Sequence, residues 1–183
     1  MCCEKYFYDK FCEVIRKWNQ DDIKAISILV YTNESFVYQG IENFYEISIG
    51  YISKNGLIGN DIIEELIGVE NEEFIVEPGN YGESAEIILE WLECKGVKDI
   101  GFEDFDNSYD EDMNYIGKGP NGYYEVLMMI AQIAGELQNE GVISKENGEI
   151  PVIVHDLEYP WYVIDAVKLA NPNGEAKEYL KFF

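Results

Sequence analysis

A run of nine residues, Ile23–Tyr31 (IKAISILVY), limits how this chain can fold more than any other feature. Nearly all of its side chains are apolar, and isoleucine, valine and tyrosine favour extended backbone. A strand of this kind is buried on both faces, because neither face carries a regular row of polar side chains. We therefore predict a central strand that other layers of the fold cover on both sides.

Four further segments have strand patterns. In Phe44–Tyr51, apolar residues alternate with polar or small ones, which predicts a half-buried strand. Phe36–Tyr38 is a short candidate to pair with Ile23–Tyr31. Val97–Phe102 and Ile150–Leu157 are the remaining candidate strands.

Helices are predicted where apolar residues recur at intervals of three and four. The first covers about Glu4 to Asn19, and the longest begins after a cap at Asn121 and ends at Gly141. The others are a short helix over 61–67 closed by Gly68, a helix from Ser84 to a C-terminal glycine at Gly96, Trp161–Leu169, and a last short helix ending at Tyr179 and Leu180.

Strands and helices alternate irregularly along the chain, and this order favours an α/β (α+β) fold with a single mixed β-sheet and flanking helices. A length of 183 residues suits one hydrophobic core, so we expect residues 1–183 to form a single globular domain. Hydrophobic residues make up 47% of the chain, enough for it to fold despite its many charges.

The charge is extreme and uneven. Thirteen basic residues against thirty-six acidic ones leave a net charge of −23, and Asp61–Pro120 holds eighteen of the acids but only three lysines. Such a field repels nucleic acid and anionic membranes and attracts basic proteins. We predict a basic protein partner, with no nucleic acid and no membrane as partners. The alternative is that the acidity serves only solubility.

Location and redox state also follow from composition. Apolar runs such as Val126–Ala134 fall far short of the ~20 residues that a membrane span needs, and the N-terminus lacks a signal-like apolar stretch. The cysteines at 2, 3, 12 and 94 have the spacing of neither a disulfide framework nor a metal site. We therefore expect a cytoplasmic protein with reduced thiols and no cofactor.

The segment 99–122 is polar, acidic and rich in glycine, which predicts a long surface loop. Loops of this length are usually functional or disordered. Crowded carboxylates repel one another unless a basic partner relieves them, and aromatic side chains among them would serve as apolar anchors. The predicted partner-binding residues are Asp104, Asp106, Asp110, Glu111, Asp112, Phe105 and Tyr109. The alternative is a solvated loop with no role.

Two motifs in this loop resemble ligand-binding patterns, but neither predicts a ligand site. Its acids from Asp104 onward are spaced as in a calcium-binding loop, but Tyr109 stands where that loop needs glycine and Tyr115 where it needs glutamate. We therefore predict no metal site. The run from Gly117 to Gly122 matches the G-x-G-x-x-G pattern, but no convincing strand leads into it, so we predict no nucleotide cofactor.

His155 is the only histidine, so every histidine-dependent chemistry rests on this one ring. Its neighbours Asp156 and Glu158 leave open a hydrolase that uses dispersed carboxylates near His155. A single histidine at the end of a strand is more often a hydrogen-bonded structural residue. We therefore assign no catalytic residue.

Two segments resemble a known family. The stretch from Ile150 to Tyr159 (IPVIVHDLEY), followed by Asn171 and Pro172, resembles the closing segment of the bacterial domain of unknown function 4303 family. The strand 22–27 resembles that family's opening strand. The two segments cover about a tenth of the chain. The resemblance implies an immunity protein that occludes a toxin domain, and it carries over no catalytic residue.

Together, charge and resemblance predict an acidic cytoplasmic protein-binding domain, such as an immunity protein that neutralises a basic polymorphic toxin, for example a nuclease. Two alternatives stay open at this point. One is the hydrolase near His155, and the other is a housekeeping adaptor with no catalytic role.

Overall fold

In the described part of the chain, four strands form one mixed sheet, and the run that was predicted to be central lies inside it. The computed structural model describes residues 2–54, 69–146, 148–157 and 160–182. In chain order the elements are α1 (Cys3–Ile15), β1 (Ile23–Thr32), β2 (Tyr45–Ser53), β3 (Glu70–Val76), α2 (Gly82–Cys94), α3 (Tyr123–Asn139), β4 (Val152–His155) and α4 (Tyr162–Ala170).

The sheet has the strand order β3-β2-β1-β4. Strands β1 and β2 are antiparallel, with Ile28 opposite Ile49, and β3 continues the antiparallel pairing on the far side of β2. Strand β4 instead runs parallel to β1, with Val154 opposite Ile28. The α+β fold with a single mixed sheet and flanking helices is therefore confirmed.

Helix α3 is the central helix of the core. It packs against α1, α4 and β4, while α2 packs against β3 and α1. Gly135 of α3 permits the close contact with α4, because a Cβ atom there would lie 2.5 Å from the backbone oxygen of Leu169. The largest fully buried side chains include Phe7 and Phe11 of α1 and Tyr123 of α3.

The buried side chain of Asn171 completes the outer edge of β4. Its Nδ2 donates to the backbone oxygens of Val152 (2.6 Å) and Val167 (2.7 Å). Its Oδ1 accepts from the backbone N–H of Val152 at 2.9 Å. The amide thus pairs with the strand as a neighbouring strand would, and it ties the end of α4 to β4.

Strand β3 forms the opposite edge and carries mostly exposed side chains. Ser53 Oγ donates to Glu70, and Ser48 Oγ donates to Glu72. Lys17 pairs with Glu73 at 3.2 Å. The sequence patterns gave no strand here, because the acidic run before Phe74 lacks alternation.

Several predicted boundaries need correction. Val97–Phe102 is not a strand, because Asp99 and Gly101 adopt positive φ angles of 48° and 82° and turn the chain. Phe36–Tyr38 forms no strand with β1, because Gln39 and Gly40 make a tight turn that pairs Tyr38 with Ile41.

Two helix predictions have separate outcomes. The longest helix is present, but its N-cap residue is Gly122 and not Asn121, whose side chain donates to the backbone oxygen of Asp99. The helix predicted over 61–67 lies outside the described residues.

Within the described ranges, no helix is long and apolar enough to cross a membrane.

Replacing Asn171 with leucine should lower the free energy of unfolding by about 2–4 kcal/mol, because the buried N–H and C=O of Val152 would lose their partners. Urea denaturation monitored by circular dichroism measures this change. The matched control is Asn173→Leu at an exposed position, which should change stability by less than about 0.5 kcal/mol. Equal effects from the two substitutions would contradict the proposed role of the amide.

Candidate functional site

A cleft of about 390 Å³ opens where β1 and β4 end side by side. Because the two strands are parallel, their carboxyl ends meet at one edge of the sheet, which is where open α/β sheets commonly bind ligands. The starts of α3 and α4 and part of the 99–122 segment form the remaining walls. Lining residues that bear phenol or carboxylate groups include Tyr31, Glu34, Glu103, Tyr115, Tyr123 and Asp156.

Asp156 lies at the base of the cleft, directly after β4, and is only 8% exposed. The hydroxyl of Tyr123 lies 2.7 Å from Asp156 Oδ2, and the hydroxyl of Tyr162 lies 3.4 Å from it. The Tyr123 hydroxyl is also 2.7 Å from the backbone oxygen of Val30, and its single proton serves one acceptor at a time. Burial, followed by the charge of Asp156, raises the pKa of both tyrosines, so both are neutral donors at pH 7.

Glu103 and Tyr115 form a second polar pair in the wall. The Tyr115 hydroxyl donates to Glu103 Oε1 at 3.1 Å and accepts the backbone N–H of Gly119 at 2.7 Å. Burial raises the pKa of Tyr115 to about 12, and the charge of Glu103 adds to this effect. The cleft therefore combines carboxylates with uncharged phenols.

We call residues 102–116 the acidic loop. Its neck is closed by two backbone hydrogen bonds, from Gly101 N to Asn121 O (3.0 Å) and from Asn121 N to Phe102 O (2.9 Å). Inside the loop, Asp110 Oδ1 accepts the backbone N–H groups of Asp112 and Asn114 at 2.9 and 2.8 Å. Hydrogen bonds, chiefly those from Asn114, lower the pKa of Asp110.

The structure divides the predicted partner-binding residues into two groups. Phe105 and Tyr109 line the cleft. The five predicted carboxylates do not line it: Asp110 is partly exposed, and the other four, Asp104, Asp106, Glu111 and Asp112, are exposed on the loop surface. Met113 stands out beside them with 75% of its surface exposed.

The spacing that resembles a calcium loop gathers no ligand set. Among the residues that the structure describes, no group of three or more acidic, histidine or cysteine side chains is arranged to hold a metal ion. Tyr109 and Tyr115, which occupy the two positions that break the motif, instead face each other across an isolated β-bridge.

The glycine motif lines a separate, open depression. Lys95, Lys98 and Lys118, the three lysines of the acidic stretch 61–120, all border it. The sequence patterns gave no sign that these lysines would meet. Packing explains Gly122, because its φ is 93° and a Cβ atom there would lie 2.8 Å from the Tyr45 hydroxyl.

His155 occupies a different place from the cleft. The ring is 1% exposed, and its Nε2 lies 2.8 Å from Ser27 Oγ. Burial lowers its pKa to about 4, so the ring is neutral at pH 7. It lines a small cavity of about 130 Å³ with Glu72, whereas the Asp156 carboxylate lines the cleft. The ring also contacts the backbone of the next residue, because His155 Nδ1 lies 3.2 Å from the Asp156 oxygen.

Sequence reasoning missed the residues that build the cleft. Tyr123 and Tyr162 are the first residues of α3 and α4, and each follows a proline by two or three positions. A tyrosine at a helix start, next to a loop, is a weak signal of a site. Their convergence on Asp156 depends on the parallel pairing of β4, which no local pattern reveals.

Comparison with known proteins adds no assignment. The chain matches no family model, no curated protein and no solved structure.

The lowered pKa of His155 predicts a specific acid sensitivity. In the unfolded chain the histidine binds a proton near pH 6.5, whereas the buried ring in the folded protein binds one only near pH 4. The folded state is therefore not penalised above pH 6.5, and it loses stability as the pH falls from 6.5 toward 4. Between pH 7.5 and 4.5, the wild type should lose roughly 2–3 kcal/mol more stability than a His155→Gln variant. Urea denaturation at the two pH values measures this, and equal losses would contradict it.

Proposed function

We propose that this chain is a protein-binding domain whose acidic loop engages a basic protein partner. The observation that carries this proposal is the coincidence of charge and apolar surface in one segment. The acidic loop contains six acids and no lysine or arginine. It also holds five of the ten exposed large hydrophobic side chains among the described residues: Phe102, Phe105, Tyr109, Met113 and Ile116.

The two kinds of side chain have different effects on binding. Exposed carboxylates accelerate encounter with a basic partner and contribute less to the final affinity, because water and salt screen them. Aromatic and methionine side chains bury apolar area once the partner has docked, and such residues dominate interface energies. Phe105 is 64% exposed, so it is available to dock without prior unfolding of the loop.

Hydrogen bonds within the acidic loop fix its backbone conformation in the absence of a partner. Its closed neck and the hydrogen bonds to Asp110 hold the backbone. In the described part of the chain, no lysine or arginine forms an ion pair with the five predicted carboxylates. A basic partner would therefore relieve their mutual repulsion at little cost in loop ordering.

A narrower proposal rests on the family resemblance of the segments 150–159 and 22–27. In that reading the chain is a bacterial, cytoplasmic immunity protein, and its carboxylates take the places of substrate phosphates on a basic toxin such as a nuclease. The free thiols Cys3 and Cys12, buried in the core, suit a reducing compartment.

The test replaces the five predicted carboxylates in one variant, Asp104→Asn, Asp106→Asn, Asp110→Asn, Glu111→Gln and Asp112→Asn. Each amide keeps an acceptor oxygen, so the turn at Asp110 should persist. The probe is the protein encoded by the neighbouring gene, measured by surface plasmon resonance across a salt series. Association should slow by about tenfold or more at low salt, and its salt dependence should flatten.

A control variant with the same change in net charge distinguishes the effect of the loop carboxylates from the effect of the protein's overall negative charge. It replaces five exposed acids in and before α2 with glutamine, namely Glu77, Glu83, Glu86, Glu90 and Glu93. This variant should retain most of the wild-type association rate. The proposal fails if both variants slow association equally, or if the loop variant binds like wild type.

A further inference from the structure

The cleft at the ends of β1 and β4 has an electrostatic character of its own. Glu34, Glu103 and Asp156 contribute carboxylates to it, and its described lining contains no lysine or arginine. Asp156 is the most buried of the three. Its Oδ2 lies 2.7 Å from the Tyr123 hydroxyl and 3.4 Å from the Tyr162 hydroxyl, so two phenol groups lie beside this carboxylate.

Aromatic rings surround these carboxylates. Tyr109 and Tyr115 meet edge to face with their ring centroids 5.3 Å apart, and Tyr123 and Tyr162 meet at 5.8 Å. Because all four residues line the cleft, a group inside it lies against uncharged rings. Phenol rings attract cations through the negative charge density on their faces, most strongly where water is excluded.

We propose that this cleft is a binding site for a single organic cation, a guanidinium or alkylammonium group. Carboxylates together with several aromatic rings are the combination that such cations prefer. The volume of about 390 Å³ falls in the range of small-ligand pockets, roughly 300–1,000 Å³, and it admits a group the size of an arginine side chain.

A metal ion fits this cleft less well than an organic cation does. Hard metal ions require several oxygen ligands converging on one point. The Asp156 oxygen Oδ2 is already bonded to phenols, and Glu103 is bonded to Tyr115 across the wall. Among the described residues, no acidic cluster is arranged for a metal.

The cleft includes Glu103, Phe105, Tyr109 and Tyr115 of the acidic loop, but binding of an organic cation there does not require the protein partner of that loop. The cation could belong to an arginine of a protein or to a free small amine, and the chemistry of recognition is the same. The two sources differ in what is attached to the cation, so blocked and unblocked probes distinguish them.

The experiment titrates the full chain with n-butylguanidinium, with N-acetyl-arginine methylamide, and with the neutral isostere n-butylurea. Chemical shifts of two groups report on the cleft: the amide of Gly119, which bonds Tyr115, and the indole of Trp161, which bonds the Gly117 oxygen. Both cations should bind, and the affinity for butylurea should be at least about tenfold lower. Binding of butylguanidinium alone would identify a free small cation as the ligand.

Three variants locate the site. Asp156→Asn should weaken butylguanidinium binding by about tenfold or more, and Glu103→Gln should weaken it severalfold. Glu90→Gln makes the same charge change on exposed α2 and should leave binding unchanged. If Asp156→Asn does not fold, Glu103→Gln decides alone, because Glu103 is only half-buried.

The five-carboxylate variant of the acidic loop should still bind butylguanidinium within about twofold of wild type, since none of those five residues lines the cleft. This measurement distinguishes the cation site in the cleft from the protein-binding role of the acidic loop. The cation site is overturned if neither cation shifts the reporter signals, if butylurea binds equally well, or if Glu103→Gln matches Glu90→Gln.

Discussion

The pairing of the Asn171 amide with Val152 is the contact on which the edge of the sheet beside the cleft depends. Strand β4 has four residues and, among the described strands, pairs only with β1, so few backbone hydrogen bonds to other strands hold it. One side chain supplies both a donor and an acceptor to the open side of the strand and also ties it to the end of α4. Removing it would leave the backbone groups of Val152 without these partners and would weaken the link between the strand and the helix.

The position of β4 in turn creates the cleft. Only a parallel neighbour of β1 places Asp156 beside the end of β1, within reach of Tyr123 on α3 and Tyr162 on α4. The close approach of α3 and α4 at Gly135 brings those two helices together on the same side. The candidate site is thus a product of packing between segments that are distant in the chain.

This dependence explains what sequence patterns could and could not predict. Local patterns predicted β1, α1, α3 and α4 well, because burial on one or both faces requires apolar residues at regular positions in the sequence. They missed β3, whose exposed acids have no alternation, and they proposed a strand at 97–102 where glycine-assisted turns occur. Phe105 and Tyr109 were predicted from composition as partner-binding residues, and the structure places them at the cleft. The convergence of two tyrosines on Asp156 depends on the strand order, which periodicity does not contain.

The two outer strands of the described sheet both carry features that oppose the addition of another strand. An open strand edge is a template on which another chain can add. Here one edge is occupied by an asparagine side chain, and the other, β3, holds Glu70, Glu72 and Glu73 in a short row. A second copy that approached β3 would bring an identical row of carboxylates against it. At this edge the repulsion between identical carboxylates would oppose pairing of two copies, and this effect is separate from any recognition of a partner.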